Sequence, residues 1–203
     1  MLAIRKHAHL IIPVTLTIVT GIVMLLPDET FALLSYRRDA VASFHWWPFL
    51  TANLVHSNGV HWFVNVAGLW ILWRLFFDSF KPRHWLWVLA ILMISNILLI
   101  HFFTPRITNY VGMSGALHGM ICVGFIARNY LARFVGIVGT LVVIAKVIHE
   151  NWFQTQNTMA ELIGRNVAVE AHLYGVIVGV MIGVMVRCWQ EGWLITANSK
   201  NKS

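Results

Sequence analysis

Charge is what this sequence has least of. Only 11% of its 203 residues are Asp, Glu, Lys or Arg, while 58% are hydrophobic. A soluble domain carries about 25% charged residues, so a water-soluble globule is excluded, as its surface could not be covered. A disordered chain is excluded by the same apolar excess. Cysteine is nearly absent. Cys122 and Cys188 lie inside or at the end of apolar runs and read as free thiols, which excludes a disulfide scaffold. Acids are scarcer than bases, leaving a net charge of +7. In a soluble chain that excess would suggest nucleic acid. In a membrane chain it reflects basic cytoplasmic loops, and no nucleic-acid partner is expected.

What is present is apolar length. A helix crossing the hydrocarbon layer, about 30 Å thick, needs roughly 20 mostly apolar residues. Candidate segments lie at about 9–26, 61–77, 84–103, 114–127, 134–148 and 168–186. Lipid forces every backbone group to be satisfied within its segment. The expected fold is therefore all-α and polytopic: one domain over residues 1–203, a six-transmembrane-helix bundle, with a flexible tail at about 193–203. Leu26-Pro27-Asp28 offers no small-residue cleavage site, so the first segment is expected to remain as a span.

Charge placement orients this bundle. With the N-terminus in the cytoplasm, the inner segments hold Arg5, Lys6, Arg74, Lys81, Arg83, Arg128, Arg133, Arg187, Lys200 and Lys202 against Asp78 and Glu191. The outer segments hold Arg37, Arg38, Arg106 and Arg165 against Asp28, Glu29, Asp39, Glu150, Glu161 and Glu170. This bias predicts both termini in the cytoplasm, with Trp46, Trp47 and Trp62 at the outer interface and Trp73, Trp85, Trp87, Trp189 and Trp193 at the inner one. Lys146, near the outer end of the fifth span, is expected to snorkel to the interface.

The fourth segment is short. From Ser114 to Ala127 a helix rises about 21 Å, well under the hydrocarbon thickness. With its inner end fixed by Arg128 and Arg133, its outer end at Ser114 must lie below the membrane surface. The stretch before it holds Pro105, Asn109 and Gly112. Irregular backbone at that depth is tolerated only inside protein or along a water-filled cavity. Ser114 is therefore expected at the floor of an aqueous pocket. A serine at a helix N-terminus is first a capping residue; it is also a hydroxyl at the positive end of a helix dipole, suited to nucleophilic attack.

Polar residues elsewhere share that depth. Gly175, Gly179 and Gly183 repeat every four residues on the sixth segment, leaving a face with no side chains. Gly115 and Gly119 make a matching face on the fourth. Pairing the two faces brings His172 to Ser114, a possible base and nucleophile. A histidine with its ordinary pKa near 6.5 is neutral when it must accept a proton. No acid is convincingly placed as a third member, since Glu170 projects to another side of its helix. His118, four residues after Ser114, can stack on His172 or hydrogen-bond to it. His61 and Asn65 share a face of the second segment, with His56 close by, and can donate to a developing oxyanion. Gly112 allows a tight turn beside the serine.

These residues resemble the rhomboid intramembrane serine proteases. The resemblance rests on Gly112-Met113-Ser114-Gly115 opening helix 4, on His61 to Asn65 in helix 2, and on Ala171-His172-Leu173-Tyr174-Gly175 with Gly179 in helix 6, over about Trp47 to Gly183. It implies Ser114 as nucleophile, His172 as base, and His61 and Asn65 at the oxyanion site. His56 falls where the family has an outer histidine. The extended motif through Ala116-Leu117-His118-Gly119 looks more like the rhombosortase branch, bacterial enzymes that trim C-terminal sorting tails from exported proteins. That branch implies membrane-anchored substrates, the bacterial inner membrane, an active site facing the periplasm, and no metal or cofactor. Many bacterial rhomboids have Trp-Arg before helix 2; here Trp47 is followed by Pro48. Two rival readings remain: a catalytically inactive rhomboid-like protein that binds transmembrane helices, and a haem or metal carrier using its histidines, against which His56 and His61 lie five apart, on different helix faces.

Overall fold

The computed structural model describes residues 8–79, 81–127, 133–153, 158–164 and 166–200. Six apolar helices form the bundle: α1 Ile11–Val23, α2 Gly59–Phe76, α3 Pro82–Phe103, α4 Ser114–Ala127, α5 Arg133–Phe153 and α6 Val169–Lys200. By length and composition, four of them can cross a membrane: α2, α3, α5 and α6. The 13-residue α1 and 14-residue α4 are shorter. At 1.5 Å per residue each rises about 20 Å. α1 ends before the Met24–Leu26 turn and Pro27, short of the boundary expected from apolarity alone.

Two segments run past their expected ends. α5 continues through His149-Glu150-Asn151 to Phe153, although its apolar run stops at Ile148. α6 reaches Lys200, so residues 193–200, expected as a flexible tail, have helical backbone. No proline follows Val169 to stop it. Residues 201–203, Arg5, Lys6, Arg128, Arg165 and Lys202 lie outside the described residues.

α4 is the central helix. Its glycines, alanines, Leu117, Met120 and Val123 are buried on several sides, as expected of a helix apolar all round. The outer helices present large apolar side chains outward, including Ile18, Ile71, Phe134, Val142 and Met185. Such continuous exposure is foreign to a soluble monomer, and the protein is an integral membrane protein. Trp87 and Trp189 are exposed, but Trp73 and Trp85, expected at the interface, are 2% and 1% exposed and pack together in the core with ring centroids 6.1 Å apart. Polar clasps join α1 to α2, where Trp62 and Trp70 donate their indole N–H groups to Thr20 and Thr17.

The loop before α2 is tied to the segment that leads into α4. β1 Tyr36–Arg37 pairs antiparallel with β2 Asn109–Tyr110, Tyr36 opposite Tyr110. Arg38 then caps α3: its guanidinium donates to the carbonyls of His101 at 2.7 Å, Ile100 and Thr104 at 3.1 Å and Ile107 at 3.4 Å. A planar fork satisfies helix-end carbonyls that have no intrahelical partner. Pro48 occupies the first turn of the short helix Pro48–Thr51, a position where proline is tolerated. Trp47 anchors that helix by donating to the Leu33 carbonyl at 2.8 Å. Arg38 thus makes the cross-loop tie, nine positions before Trp47.

Candidate active site

The chain turns sharply into α4. Gly112 has φ +107°, a conformation that only glycine adopts readily, and its N–H donates to Ala52 O at 2.9 Å. A Cβ there would lie 2.6 Å from Nε2 of His61. Gly112 therefore shapes the site, its N–H already committed. The first α4 bond runs from Leu117 N–H to Met113 O, so Met113 takes the cap position. The Ser114 hydroxyl turns away from capping and meets Nε2 of His172 at 3.1 Å.

Glycine contacts make that approach possible. A Cβ on Gly175 would run into the Gly115 carbonyl, and one on Gly179 into the Gly119 carbonyl. The two backbones touch where the sequence left both faces bare, setting His172 against the first residue of α4.

The far side of His172 is where the sequence reading failed. Nδ1 lies 3.1 Å from Oε2 of Glu150. Oε1 of Glu150 accepts from the Lys146 ammonium at 2.7 Å. The same ammonium lies 3.0 Å from Nε2 of His118, whose Nδ1 is 2.8 Å from the Ser114 carbonyl. The His118 and His172 rings stack at 4.1 Å with an 18° tilt. Lys146, expected to snorkel, is half-exposed and bridges His118 and Glu150. The missed acid had a signal: Lys146 and Glu150 stand at i,i+4, and a lysine inside an apolar run calls for a partner. Glu170, rejected as the third member, pairs with Arg106.

Partners that can only donate or only accept fix the protons. Carboxylate Oε2 accepts, so a neutral His172 with its hydrogen on Nδ1 satisfies Glu150 and leaves Nε2 bare toward Ser114. The Ser114 carbonyl accepts, so Nδ1 of His118 carries hydrogen and Nε2 accepts from Lys146. The Ser57 backbone N–H donates to Nδ1 of His61 at 3.3 Å, so Nε2 of His61 carries hydrogen. The site thus offers a hydroxyl, an imidazole ready to accept its proton, and an imidazole N–H beside them.

A half-open cleft of about 630 Å³ borders the site, lined by Ser114, His61, Tyr110, Val111, Asn166 and Glu170 among others. The Tyr110 hydroxyl reaches Ser114 and Asn96, and burial pushes its pKa up to about 12, so it stays protonated. Asn65 is buried one turn along α2 and donates one amide N–H to the His61 carbonyl at 2.9 Å. His56, expected at the oxyanion or substrate site, is 1% exposed and sits behind His61, edge-to-face at 5.0 Å, off the cleft wall. Burial and then the charge of His61 push its pKa down to about 3. His118, Glu150 and His172 bring three ligand atoms within 4.8 Å of one another. The Lys146 ammonium is bound to two of these residues, so a metal ion would have to displace a cation.

Fold and site together define an integral membrane protein with a serine hydroxyl and an imidazole hydrogen-bonded beside a cleft. The Rhomboid domain family model matches residues 43–189, and the chain belongs to the rhomboid family, a family of intramembrane serine proteases. No curated protein matches it.

Proposed function

We propose that this protein is a serine endopeptidase of the rhombosortase branch, cleaving transmembrane or C-terminal sorting-tail segments of exported, membrane-anchored proteins. The observation that carries this reading is the 3.1 Å contact between Ser114 Oγ and His172 Nε2. Ser114 attacks the scissile carbonyl carbon as its proton passes to Nε2 of His172. The oxyanion forms near the N–H groups at the start of α4, where the helix dipole favours negative charge. His61 Nε2–H is the side-chain donor, and the second amide N–H of Asn65 is a further one. Collapse breaks the C–N bond, and the proton on Nε2 goes to the leaving amine. Water from the cleft then attacks the acyl-enzyme, gives its proton to His172, and Ser114 is regenerated.

The branch assignment is supported by Gly112-Met113-Ser114-Gly115-Ala116-Leu117-His118-Gly119 and the stacked His118. The excess of Lys and Arg in alternate loops supports six crossings, both termini in the cytoplasm of a bacterium and a cleft facing the periplasm. The shorter α1 and α4 are then accommodated by burial of α4 and local thinning at α1. The mechanism calls for no metal or cofactor.

The test is incubation of the purified protein with tail-bearing exported proteins, comparing wild type with Ser114→Ala and His172→Ala. Cleavage by wild type alone is the expected result. Equal cleavage by Ser114→Ala overturns the mechanism, and binding without cleavage by wild type favours an inactive helix-binding protein.

A further inference from the structure

We propose that Glu150 is a positioning residue for the Ser114–His172 pair, holding the proton on Nδ1 so that Nε2 faces the serine bare, with Lys146 fixing the carboxylate in place. This rests on the serine-protease reading above and turns its two-residue machinery into a line of three.

The geometry is continuous. Ser114 Oγ, His172 Nε2, His172 Nδ1 and Glu150 Oε2 follow one another with 3.1 Å between each bonded pair. Both carboxylate oxygens are committed, one to His172 and one to Lys146, and the Glu150 side chain is only 13% exposed.

Helix stability does not explain this pair. Lysine precedes glutamate, the less favourable order at i,i+4. Glu150 also stands in the last turn of α5, where the helix dipole disfavours an acid. An ionisable residue in a bilayer-crossing helix is costly unless it faces a partner. The partners here are the imidazole bonded to the nucleophile and the ammonium that neutralises the acid.

The proton count closes without a transfer to Glu150. When His172 takes the serine proton it becomes imidazolium, with hydrogen on both nitrogens. Nδ1–H still donates to Glu150, whose negative charge now faces a cation. When Nε2 gives its proton to the leaving amine, His172 returns to the starting tautomer. Lys146 also donates to His118, whose Nδ1–H is bonded to the Ser114 carbonyl, so the ring closes on the nucleophile's own backbone.

Glu150→Gln tests this through a consequence that packing alone does not have. Lys146 can only donate, so it takes the amide oxygen and leaves the NH2 group facing Nδ1. Nδ1 must then accept, and its proton moves to Nε2, the wrong tautomer for a base. The readout is the rate at which a fluorophosphonate labels the full-length protein in detergent, with Ser114→Ala as blank. Glu150→Gln is expected to slow labelling roughly 10⁴-fold, the scale seen when a triad carboxylate becomes an amide. Adding Lys146→Met frees the amide to turn its oxygen to Nδ1–H, and the double variant is expected to recover about tenfold or more over Glu150→Gln alone. Glu150→Asp keeps the charge and is expected to label faster than Glu150→Gln.

Either of two labelling results overturns the proposal: labelling of Glu150→Gln within a factor of about three of wild type, or a double variant no faster than Glu150→Gln when both unfold at the wild-type temperature. Nitrogen-15 NMR of His172 in the wild type needs no variant. Hydrogen on Nδ1 supports the assignment, and hydrogen on Nε2 in the neutral ring overturns it. Failure of the underlying serine-protease reading looks different, because wild type and Ser114→Ala would then label alike.

Discussion

Gly115 and Gly175 meet backbone against backbone: a Cβ on either has no space, since on Gly175 it would fall on the Gly115 carbonyl and on Gly115 it would meet Asn96 and the Ala171 carbonyl. Small residues facing each other let helices approach closely in a membrane. Here that closeness sets the distance between Ser114 and His172.

Gly175→Val is therefore expected to separate α4 from α6. Overpacking costs typically 1–3 kcal/mol, and a rigid backbone neighbour leaves little room to relax. The variant should unfold at lower temperature in detergent and lose probe labelling. Gly59→Ala is the control: a Cβ there meets nothing within 4 Å, and its midpoint should hold or rise.

His61→Ala should lower turnover without unfolding the protein. Removing one oxyanion donor costs about 10²–10³ in kcat. Steady-state cleavage of a model tail substrate checks it. A rise in KM with kcat unchanged would assign His61 to ground-state binding instead.

Arg38→Gln removes a charged donor shared among several carbonyls at the end of α3. Hydrogen bonds to charged groups are worth about 1.5–3 kcal/mol, so the thermal midpoint should fall. Arg38→Lys should not restore it, because a point charge cannot reproduce the fork. Wild-type stability in Arg38→Lys would count against the capping role.

His56 makes stability depend on pH. Its folded pKa is about 3, while an unfolded histidine titrates near 6.5. Between those values the unfolded chain binds the extra proton, so stability falls as pH drops from about 6.5 toward 3, by at most about 1.4 kcal/mol per pH unit. Its contribution is complete above the unfolded value. His56→Phe, which keeps a ring against His61, should flatten that part of the slope in unfolding midpoints measured from pH 7 to 4. An unchanged slope would mean that His56 is already charged when folded.

The contrast between α4 and α5 shows what sequence can reveal here. The start of α4 was legible, because glycines and apolar side chains begin at Ser114, where the helix opens. The glycine faces gave its partner as well. α5 was misjudged because apolarity ends at Ile148, whereas the helix is held for another turn by contacts across the bundle. Asn151, for instance, donates to Val169 O at 2.9 Å. Truncating α5 at Ile148 put Glu150 in a loop and hid its alignment with His172. The burial of Trp73 and Trp85 was hidden for a related reason: tryptophan near a span end suits an interface or a core equally, and only packing decides.

The two-residue ladder of Tyr36–Arg37 with Asn109–Tyr110 has a mechanical consequence. Tyr110 precedes Ser114 by four residues and touches its hydroxyl, so displacement of the strand opposite drags on that hydroxyl. Anything that grips the segment around Tyr36, an antibody for instance, would act on the Ser114 hydroxyl from outside without entering the cleft.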